Sequence, residues 1–352
     1  MYEREISLFE RPLLSFARAT PQRMAIVSFS AALVILQSAL ADRGASCLLA
    51  ACAVAGSLCA ELIVSRVRRQ YLLTDLSALC SALVLTLMLP AAINPAFAFL
   101  GAFFATGVVK GAFGGLGANW LNPALAGALF VRFSWPGLYT LALTPVDAAV
   151  GGAGAENALF SMISAVFGVL NGTVFRLFAA EIPAETAGLL VNASAGIVAD
   201  RGGLALMLAG IVICAGVHRF FLSALYLGLY LALVWAAGGA ENNAAGSAGG
   251  DIFHCLFSGG TLVAAFFLIA DPSTGAKSQS GKICAALLAA LLSFAFRYLK
   301  HETYGAFFAV AAVNVLCPVI LGEESRRLYN RAITVRGAPQ DWSNRREQGG
   351  GR

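Results

Sequence analysis

The residues best suited to chemistry lie in and just before one glycine-rich segment, FGGLGANWLNPALAGALF, at residues 113–130. The groups of interest are its glycines and amides and the ammonium group that precedes it: Lys110, Gly114, Gly115, Asn119 and Asn122. In hydrocarbon, irregular backbone persists only where protein or a lined cavity satisfies its N–H and C=O groups. The segment therefore predicts a binding site at a broken or re-entrant helix, with Lys110 placed to meet a phosphate or carboxylate. A tight turn between closely packed helices, with Lys110 as a cytoplasmic anchor, is the alternative.

Three carboxylates at or within apolar runs are candidates for an ion path, because an unpaired charge inside a membrane is costly. Glu61 lies near the end of the second run, where pairing with Arg66 or Arg68 is the alternative. Asp75 opens the third run and is equally placed to cap a helix. Asp271 ends the eighth run before a proline, where a carboxylate opposes the helix dipole. We therefore expect a cation or a hydrogen-bond donor beside Asp271.

The composition is that of a membrane protein. Apolar residues make up 59% of the chain and charged residues 12%, where soluble domains have about 45–50% and about 25%. The net charge of +5 does not indicate nucleic-acid binding, because the basic residues lie between apolar runs and in the tails, without interleaved aromatics. The three histidines are scattered and the eight cysteines lie almost wholly in apolar runs, so no metal or haem site is predicted.

The sequence predicts an all-α polytopic membrane protein with about ten transmembrane helices. A helix needs about 20 mainly apolar residues to cross the membrane. Pro90 and Pro95 divide one long charge-free stretch into two of these helices. The ten predicted spans are 22–41, 46–65, 75–89, 95–111, 121–137, 203–217, 219–237, 252–270, 282–299 and 304–321. The predicted regions are a cytoplasmic N-terminal segment (1–21), spans one to five (22–137), an extracytoplasmic connection (138–202), spans six to ten (203–321) and a basic cytoplasmic tail (322–352).

The distribution of basic residues predicts the orientation. With the N-terminus in the cytoplasm, most of the 24 Lys and Arg residues fall in cytoplasmic loops and tails, as the positive-inside rule requires. An even number of spans then places the basic C-terminal tail in the cytoplasm as well. Both termini are therefore predicted to be cytoplasmic.

Four stretches together resemble the D subunit of the Rnf electron-transport complex (RnfD) and, more distantly, the B subunit of the sodium-translocating NADH:quinone reductase. They are TDLSALCSALVLTLMLP, GAFFATGVVKGAFGGLGANWLNPALAGALFVRFSWP, LFSGGTLVAAFFLIADPSTGAKSQSGK and YGAFFAVAAVNVLCPVI. The resemblance covers nearly all of residues 11–322, in matching order and spacing. Its specific feature is the combination of the GGLG…NPA loop with the FF…ADP helix end.

The resemblance implies a ten-span subunit of a complex in the bacterial inner (cytoplasmic) membrane, in which redox energy moves Na⁺ or H⁺. It implies flavin as the cofactor and, as partners, membrane lipid, an FMN-bearing subunit and iron–sulfur subunits. The residues that fall on family positions are Lys110, Gly114, Gly115 and Asn122 in the central loop, Asp75 at the third-span entry, and Asp271 at the helix end.

The resemblance also bears on how flavin is held. In the family, FMN is joined through its phosphate to a threonine in a motif of the form Asp-x-x-Ser/Thr-Gly/Ser-Ala-Thr. Asp147 matches the aspartate, but Ala153 or Gly154 stands where the threonine is required. A phosphoester needs a hydroxyl, so we predict that the covalent acceptor is absent and that any bound FMN or riboflavin is non-covalent. Two other functions stay open: a secondary transporter or channel with a glycine-loop site, and a scaffold subunit without flavin.

Overall fold

The structure is a computed structural model that describes most of the chain as helix. The described residues are 20–69, 75–112, 119, 121–143, 161–162, 164–166, 168–169, 172–173, 196–216, 220–241, 252–269, 271, 274–275, 278–299 and 302–336. Within them the only β-pairing is one isolated bridge between Pro90 and Ile197. The predicted all-α, polytopic class is confirmed.

The helices fall into two groups, before and after the connection that follows residue 143. The first group comprises α1 (Thr20–Ala41), α2 (Ala45–Arg68), α3 (Ser77–Met88), α4 (Pro95–Phe104), the first π-helix (Ala105–Lys110), α5 (Pro123–Ser134) and α6 (Pro136–Leu143). The second group comprises α7 (Val198–Arg201), α8 (Gly203–Gly216), α9 (Phe220–Glu241), α10 (Ile252–Phe257), α11 (Thr261–Val263), the second π-helix (Ala264–Leu268), α12 (Gln279–Leu299) and α13 (Gly305–Arg336).

Four described helices are long and apolar enough to cross a membrane. They are Pro21–Ala41, Ala45–Arg68, Phe220–Ala237 and Gln279–Leu299. The shorter apolar helices are Ser77–Met88, Pro95–Lys110, Pro123–Ser134, Gly203–Ala215 and Gly305–Ile320. The total of ten spans and the cytoplasmic placement of both termini stay predictions.

Several of the predicted spans hold helices that are shorter than a membrane is thick, and two of them are examples. The 12 residues of α3 rise about 18 Å at 1.5 Å per residue, against about 30 Å of hydrocarbon. The predicted span 252–270 is interrupted, because Gly259 and Gly260 take positive φ values of 72° and 70° and end α10. Glycine reaches this left-handed conformation without a Cβ clash. Both short helices therefore depend on surrounding protein to satisfy their ends.

The two π-helices end just before the two segments that the sequence singles out. The first, Ala105–Lys110, leads into the glycine-rich segment, and the second, Ala264–Leu268, leads to Asp271. π-Helical turns are rare and are frequently found at functional sites. Their positions therefore mark the same two segments by backbone geometry alone.

The helices of the first group cross closely at glycines. A Cβ added to Gly56 of α2 would lie 2.3 Å from the Phe99 backbone oxygen of α4. A Cβ on Gly127 of α5 would lie 2.5 Å from the Gly101 backbone oxygen of α4. Small residues of this kind let membrane helices approach backbone to backbone. α4 is thereby fixed between α2 and α5.

The two groups of helices are bonded to one another. After α3, the Leu89 carbonyl accepts a hydrogen bond from the Val198 N–H at 3.0 Å, and the Ala91 N–H donates to the Gly196 carbonyl at 3.2 Å. The chain that follows α3 therefore pairs with the chain that precedes α8. At the other terminus, α13 continues to Arg336, so the first part of the predicted tail is helical.

Candidate functional site

A buried ion pair lies where α2, α3 and the first π-helix meet. Lys110 Nζ donates to both carboxylate oxygens of Glu61, at 2.6 and 2.8 Å, and to Ser77 Oγ at 2.7 Å. The Lys110 and Glu61 residues are 3% and 1% exposed. An ammonium group has three N–H donors, so every donor of Lys110 has an acceptor. A charge buried in this way is tolerated because it is both paired and hydrogen-bonded.

A second layer of polar contacts lies one helical turn away. Ser57 precedes Glu61 by four residues on α2, and Thr106 precedes Lys110 by four on the π-helix. Ser57 Oγ donates to the Ala78 carbonyl at 2.9 Å and lies 2.5 Å from Thr106 Oγ1. Because Ser57 has one hydroxyl proton, Thr106 is the donor of that second bond. The two layers together tie α2, α3 and the π-helix.

These contacts select among the alternatives for Glu61. Its partner is Lys110, 49 residues away, and not the nearby arginine Arg66 or Arg68. Arg68 instead donates to the Gly111 carbonyl, which holds the chain that enters the glycine-rich segment. A contact between Lys110 and flavin stays a prediction, and it requires one of the three existing bonds to be exchanged.

The end of the glycine-rich segment meets the Asp271 segment. Asn122 Oδ1 accepts from the Ala124 and Leu125 N–H groups at 3.0 and 3.3 Å, so this side chain caps the N-terminus of α5. Its Nδ2 donates to Asp271 Oδ2 at 2.8 Å. The expected donor beside Asp271 is therefore an amide from the other group of helices. Residues predicted separately, 149 positions apart, share one site.

The structure also describes Asn119 and Asp75, two further residues that the sequence predicts for the site. Asn119 is 6% exposed, and its Oδ1 has no hydrogen-bond partner among the described residues. Asp75 precedes α3, but the N-cap position of that helix is Leu76, in a left-handed conformation with φ of 56°. Ser77, the first residue of α3, brings that helix end to Lys110. The predicted residues outside the described part of the chain are Gly114, Gly115, Asp147, Ala153 and Gly154.

A polar cluster that the sequence did not predict surrounds Asp200. Its carboxylate accepts from the Tyr304 hydroxyl at 3.2 Å and from the Gly260 N–H at 3.4 Å. Arg297 donates to Ser258 beside it, to the carbonyl at 3.2 Å and to Oγ at 2.8 Å. Burial raises the pKa of Asp200 to about 6, against the lowering effect of the Gly260 and Tyr304 hydrogen bonds. Its only sequence signal is an acid that follows the short apolar run Ile197–Ala199 and precedes Arg201.

Arg132 forms a second unpredicted contact between the two groups of helices. Its guanidinium pairs with the Glu302 carboxylate and lies 4.9 Å from the Phe308 ring centre and 5.3 Å from that of Tyr139. The Tyr139 hydroxyl in turn donates to the Met88 carbonyl at 3.0 Å. A cation over an aromatic face is attracted by the ring quadrupole. The start of α13 is thereby held to α5, α6 and the end of α3.

Among the described residues, no group of three or more His, Cys, Asp or Glu side chains is placed to hold a metal ion. The polar groups that are present form charge pairs, amide contacts and helix-end bonds inside an apolar bundle. Short interrupted helices that end at such groups, set among long apolar helices, define a polytopic helical membrane protein with an internal polar site.

The particular family follows from sequence comparison. A model of the NQR2, RnfD, RnfE family matches residues 8–329. The chain therefore belongs to this family, and the resemblance of its four stretches to RnfD is confirmed.

Several relatives match over most of both chains. The D subunit of the ion-translocating oxidoreductase complex of Shewanella amazonensis is 29% identical over 76% of this chain and 82% of the relative. The D subunit of the Na⁺-translocating ferredoxin:NAD⁺ oxidoreductase complex of Acetobacterium woodii is 27% identical over 80% and 81%. The D subunit of the proton-translocating ferredoxin:NAD⁺ oxidoreductase complex of Clostridium ljungdahlii is 27% identical over 74% and 76%.

Proposed function

We propose that this chain is the D subunit of an Rnf-type complex in a bacterial inner membrane, which couples electron transfer to the movement of Na⁺ or H⁺. The observation that carries the proposal is the family match over residues 8–329. The relative from a Na⁺-translocating complex and the relative from a proton-translocating complex are each 27% identical to this chain. The family match therefore supports ion translocation, while the identity of the ion depends on individual residues.

The ion path is proposed to pass the contact between Asp271 and Asn122. Asp271 follows the second π-helix at an interrupted span, and a carboxylate there is costly unless it is paired or functional. Asn122 holds one carboxylate oxygen at 2.8 Å and joins it to the glycine-rich segment. Glu61 and Asp75 remain candidates for the same path, with Glu61 bound to Lys110 in this conformation.

The flavin is proposed to bind non-covalently beside the glycine-rich segment, through Lys110, Gly114, Gly115, Asn119 and Asn122, with Asp147 at the connection. The unpartnered Asn119 Oδ1 supports this, because a buried acceptor suits the ring N–H of an isoalloxazine. When bound, flavin supplies the one- and two-electron chemistry. The residues of the chain orient the ring and exclude water from it.

The partners are proposed to be the other subunits of the complex, including an FMN-bearing subunit and iron–sulfur subunits, together with membrane lipid. The relatives are named as single subunits of larger complexes, which supports an assembly. Electrons would reach the chain from those partners.

The test uses the whole complex reconstituted in proteoliposomes. Addition of reductant should drive Na⁺ or H⁺ uptake, and Asp271→Asn should lower that uptake by about tenfold or more through loss of the path's charge. A second variant, Asn122→Ser, keeps a cap on α5 while it removes the amide donor to Asp271, and we expect a smaller loss because the carboxylate remains. Full-rate ion flux by the isolated chain, with neither reductant nor partner subunits, would show a secondary transporter instead.

A further inference from the structure

One buried cluster of oxygen atoms lies between α2, α3 and the first π-helix. They belong to Glu61, Ser57, Ser77, Thr106 and Ala78. All four polar side chains among them are at most 3% exposed. Carboxylate, hydroxyl and carbonyl oxygens are the ligands that hard cations prefer. Among the described residues that take part in these contacts, the cationic group is Lys110.

The Lys110 ammonium group lies among three of these oxygens. Its nitrogen lies 2.6 to 2.8 Å from three oxygens, two from Glu61 and one from Ser77. The carboxylate of this cluster is that of Glu61, so one cation neutralises it. A second cation a few ångströms from the ammonium group would be repelled strongly in this water-poor interior. Lys110 and a free cation therefore compete for the same oxygens.

The oxygen row extends past the ammonium group. Ser57 and Thr106 lie one turn further along the same two helices, and the Ala78 carbonyl accepts from Ser57. Successive oxygens of this kind replace the hydration shell of an ion in membrane pathways. The row is therefore chemically competent for a monovalent cation once the ammonium group has moved.

We propose that the Glu61–Ser77 oxygen cluster is a monovalent-cation site, which Lys110 fills with its own side chain and thereby closes. This inference rests on the proposed ion-translocating function. The means of opening lies in the π-helix, whose last residue is Lys110: return to α-helical bonding changes its register by one residue, which is about 100° of rotation about the helix axis. That rotation withdraws Lys110 from Glu61 and leaves the carboxylate for a cation.

The first experiment measures cation binding to the purified full chain in detergent, without reductant or partners. Lys110→Ala removes the resident cation and leaves space, so Na⁺ should raise its Tm relative to N-methylglucamine at equal ionic strength. The matched control, Lys110→Met, removes the same charge but fills the space, and should not respond to Na⁺. The double variant Lys110→Ala with Glu61→Gln should lose the response, and the wild type should show none.

Removing one partner of a buried ion pair is strongly destabilising. If Lys110→Ala is unstable for this reason, the yield of folded protein gives a second readout. Na⁺ supplied to the cells or extracts during solubilisation should then raise the yield of folded Lys110→Ala protein. Methylammonium, which mimics the missing group, should do the same. Rescue by methylammonium but not by Na⁺ would overturn the proposal, since the site would then accept an alkylammonium ion and not a metal cation. Failure of both cations to rescue would also overturn it.

The second experiment measures passive flux in proteoliposomes that contain the assembled complex. Without reductant, radioactive Na⁺ should enter Lys110→Ala vesicles about tenfold faster than wild-type or Lys110→Met vesicles, because only Lys110→Ala loses both the closing charge and the side chain that fills the site. Equal, slow entry in all three, together with no Na⁺ effect on Tm, would overturn the proposal. Reductant-driven uptake by the wild type is measured separately, so the proposed function stands or falls independently.

Discussion

Three acidic side chains of this chain are satisfied in three different ways. Glu61 has an ammonium partner, Asp271 has an amide, and Asp200 has a hydroxyl and a backbone N–H. The ammonium partner makes a neutral pair, whereas the partners of Asp271 and Asp200 in these bonds carry no charge. At Asp200, which lies outside the predicted spans, burial outweighs the hydrogen bonds and the pKa is raised to about 6.

The first prediction concerns the pH dependence of stability at Asp200. Its folded-state pKa of about 6 lies above the ordinary value of 3.8, so protonation favours the folded state. That stabilisation is complete below the ordinary pKa and is lost as pH rises through about 6. Thermal unfolding in detergent should show this loss in the wild type, and Asp200→Asn should flatten it.

The control for this prediction is Tyr304→Phe, which removes the hydroxyl that donates to the ionised carboxylate. This bond lowers the pKa of Asp200, so its loss should move the pH window upward. Equal pH slopes in the wild type and Asp200→Asn would contradict the assignment of the titration to Asp200.

At the scale of the elements, the short helices are possible because other helices satisfy their ends. The Met88 carbonyl at the end of α3 accepts from Tyr139, and the Leu89 carbonyl accepts from Val198. In lipid alone these carbonyls would be unpaired at a cost of several kcal/mol each. The arrangement requires close packing of α4 and α5 around α3, and glycines allow it.

The second prediction tests that packing with Gly127→Ala. The new Cβ would lie 2.4 Å from Leu85 Cδ1 and 2.5 Å from the Gly101 backbone oxygen. Side chains can move but a backbone oxygen in a helix cannot, so α4 and α5 must separate, at about 1–3 kcal/mol. We expect a lower Tm in detergent.

The matched control is Gly228→Ala in α9, where nothing lies within 4 Å of the added Cβ. Alanine favours helix over glycine by up to about 1 kcal/mol, so this variant should be as stable as the wild type or more stable. Equal destabilisation by both changes would show that the effect does not come from the α4–α5 crossing.

At the scale of the whole molecule, the two groups of helices form one interleaved body. Contacts between residues before position 144 and residues after position 195 include Asn122 to Asp271, Arg132 to Glu302, Gln37 to Ala205, and Leu89 to Val198. These contacts are spread along the chain, so movement of one group shifts polar groups of the other. Such coupling is what an ion path linked to a distant electron-transfer step requires.

The third prediction concerns flavin in the whole protein. Because Ala153 and Gly154 have no hydroxyl, acid precipitation of the purified chain, alone or within its complex, should release all of its flavin into the supernatant. The denatured band on a gel should then show no flavin fluorescence. Fluorescence that stays on this band would contradict non-covalent binding and point to an acceptor elsewhere in the chain.

The sequence by itself determined what depends on neighbours along the chain. Hydropathy, glycine spacing and the RnfD-like stretches determined the membrane class, the family and the segments around Asn122 and Asp271. It did not predict the helix break at Gly259 and Gly260, because a long apolar run looks the same whether its helix is continuous or interrupted.

Only the tertiary structure decided which polar groups are partners. Glu61 has arginines five and seven residues away, yet it bonds Lys110 across the bundle, and Asn122 meets Asp271 from the other group of helices. Asp200 and Tyr304 gave no joint signal at all. The reason is physical: apolar periodicity sets which face of a helix is buried, whereas helix crossings at glycines set which buried groups come within hydrogen-bonding distance.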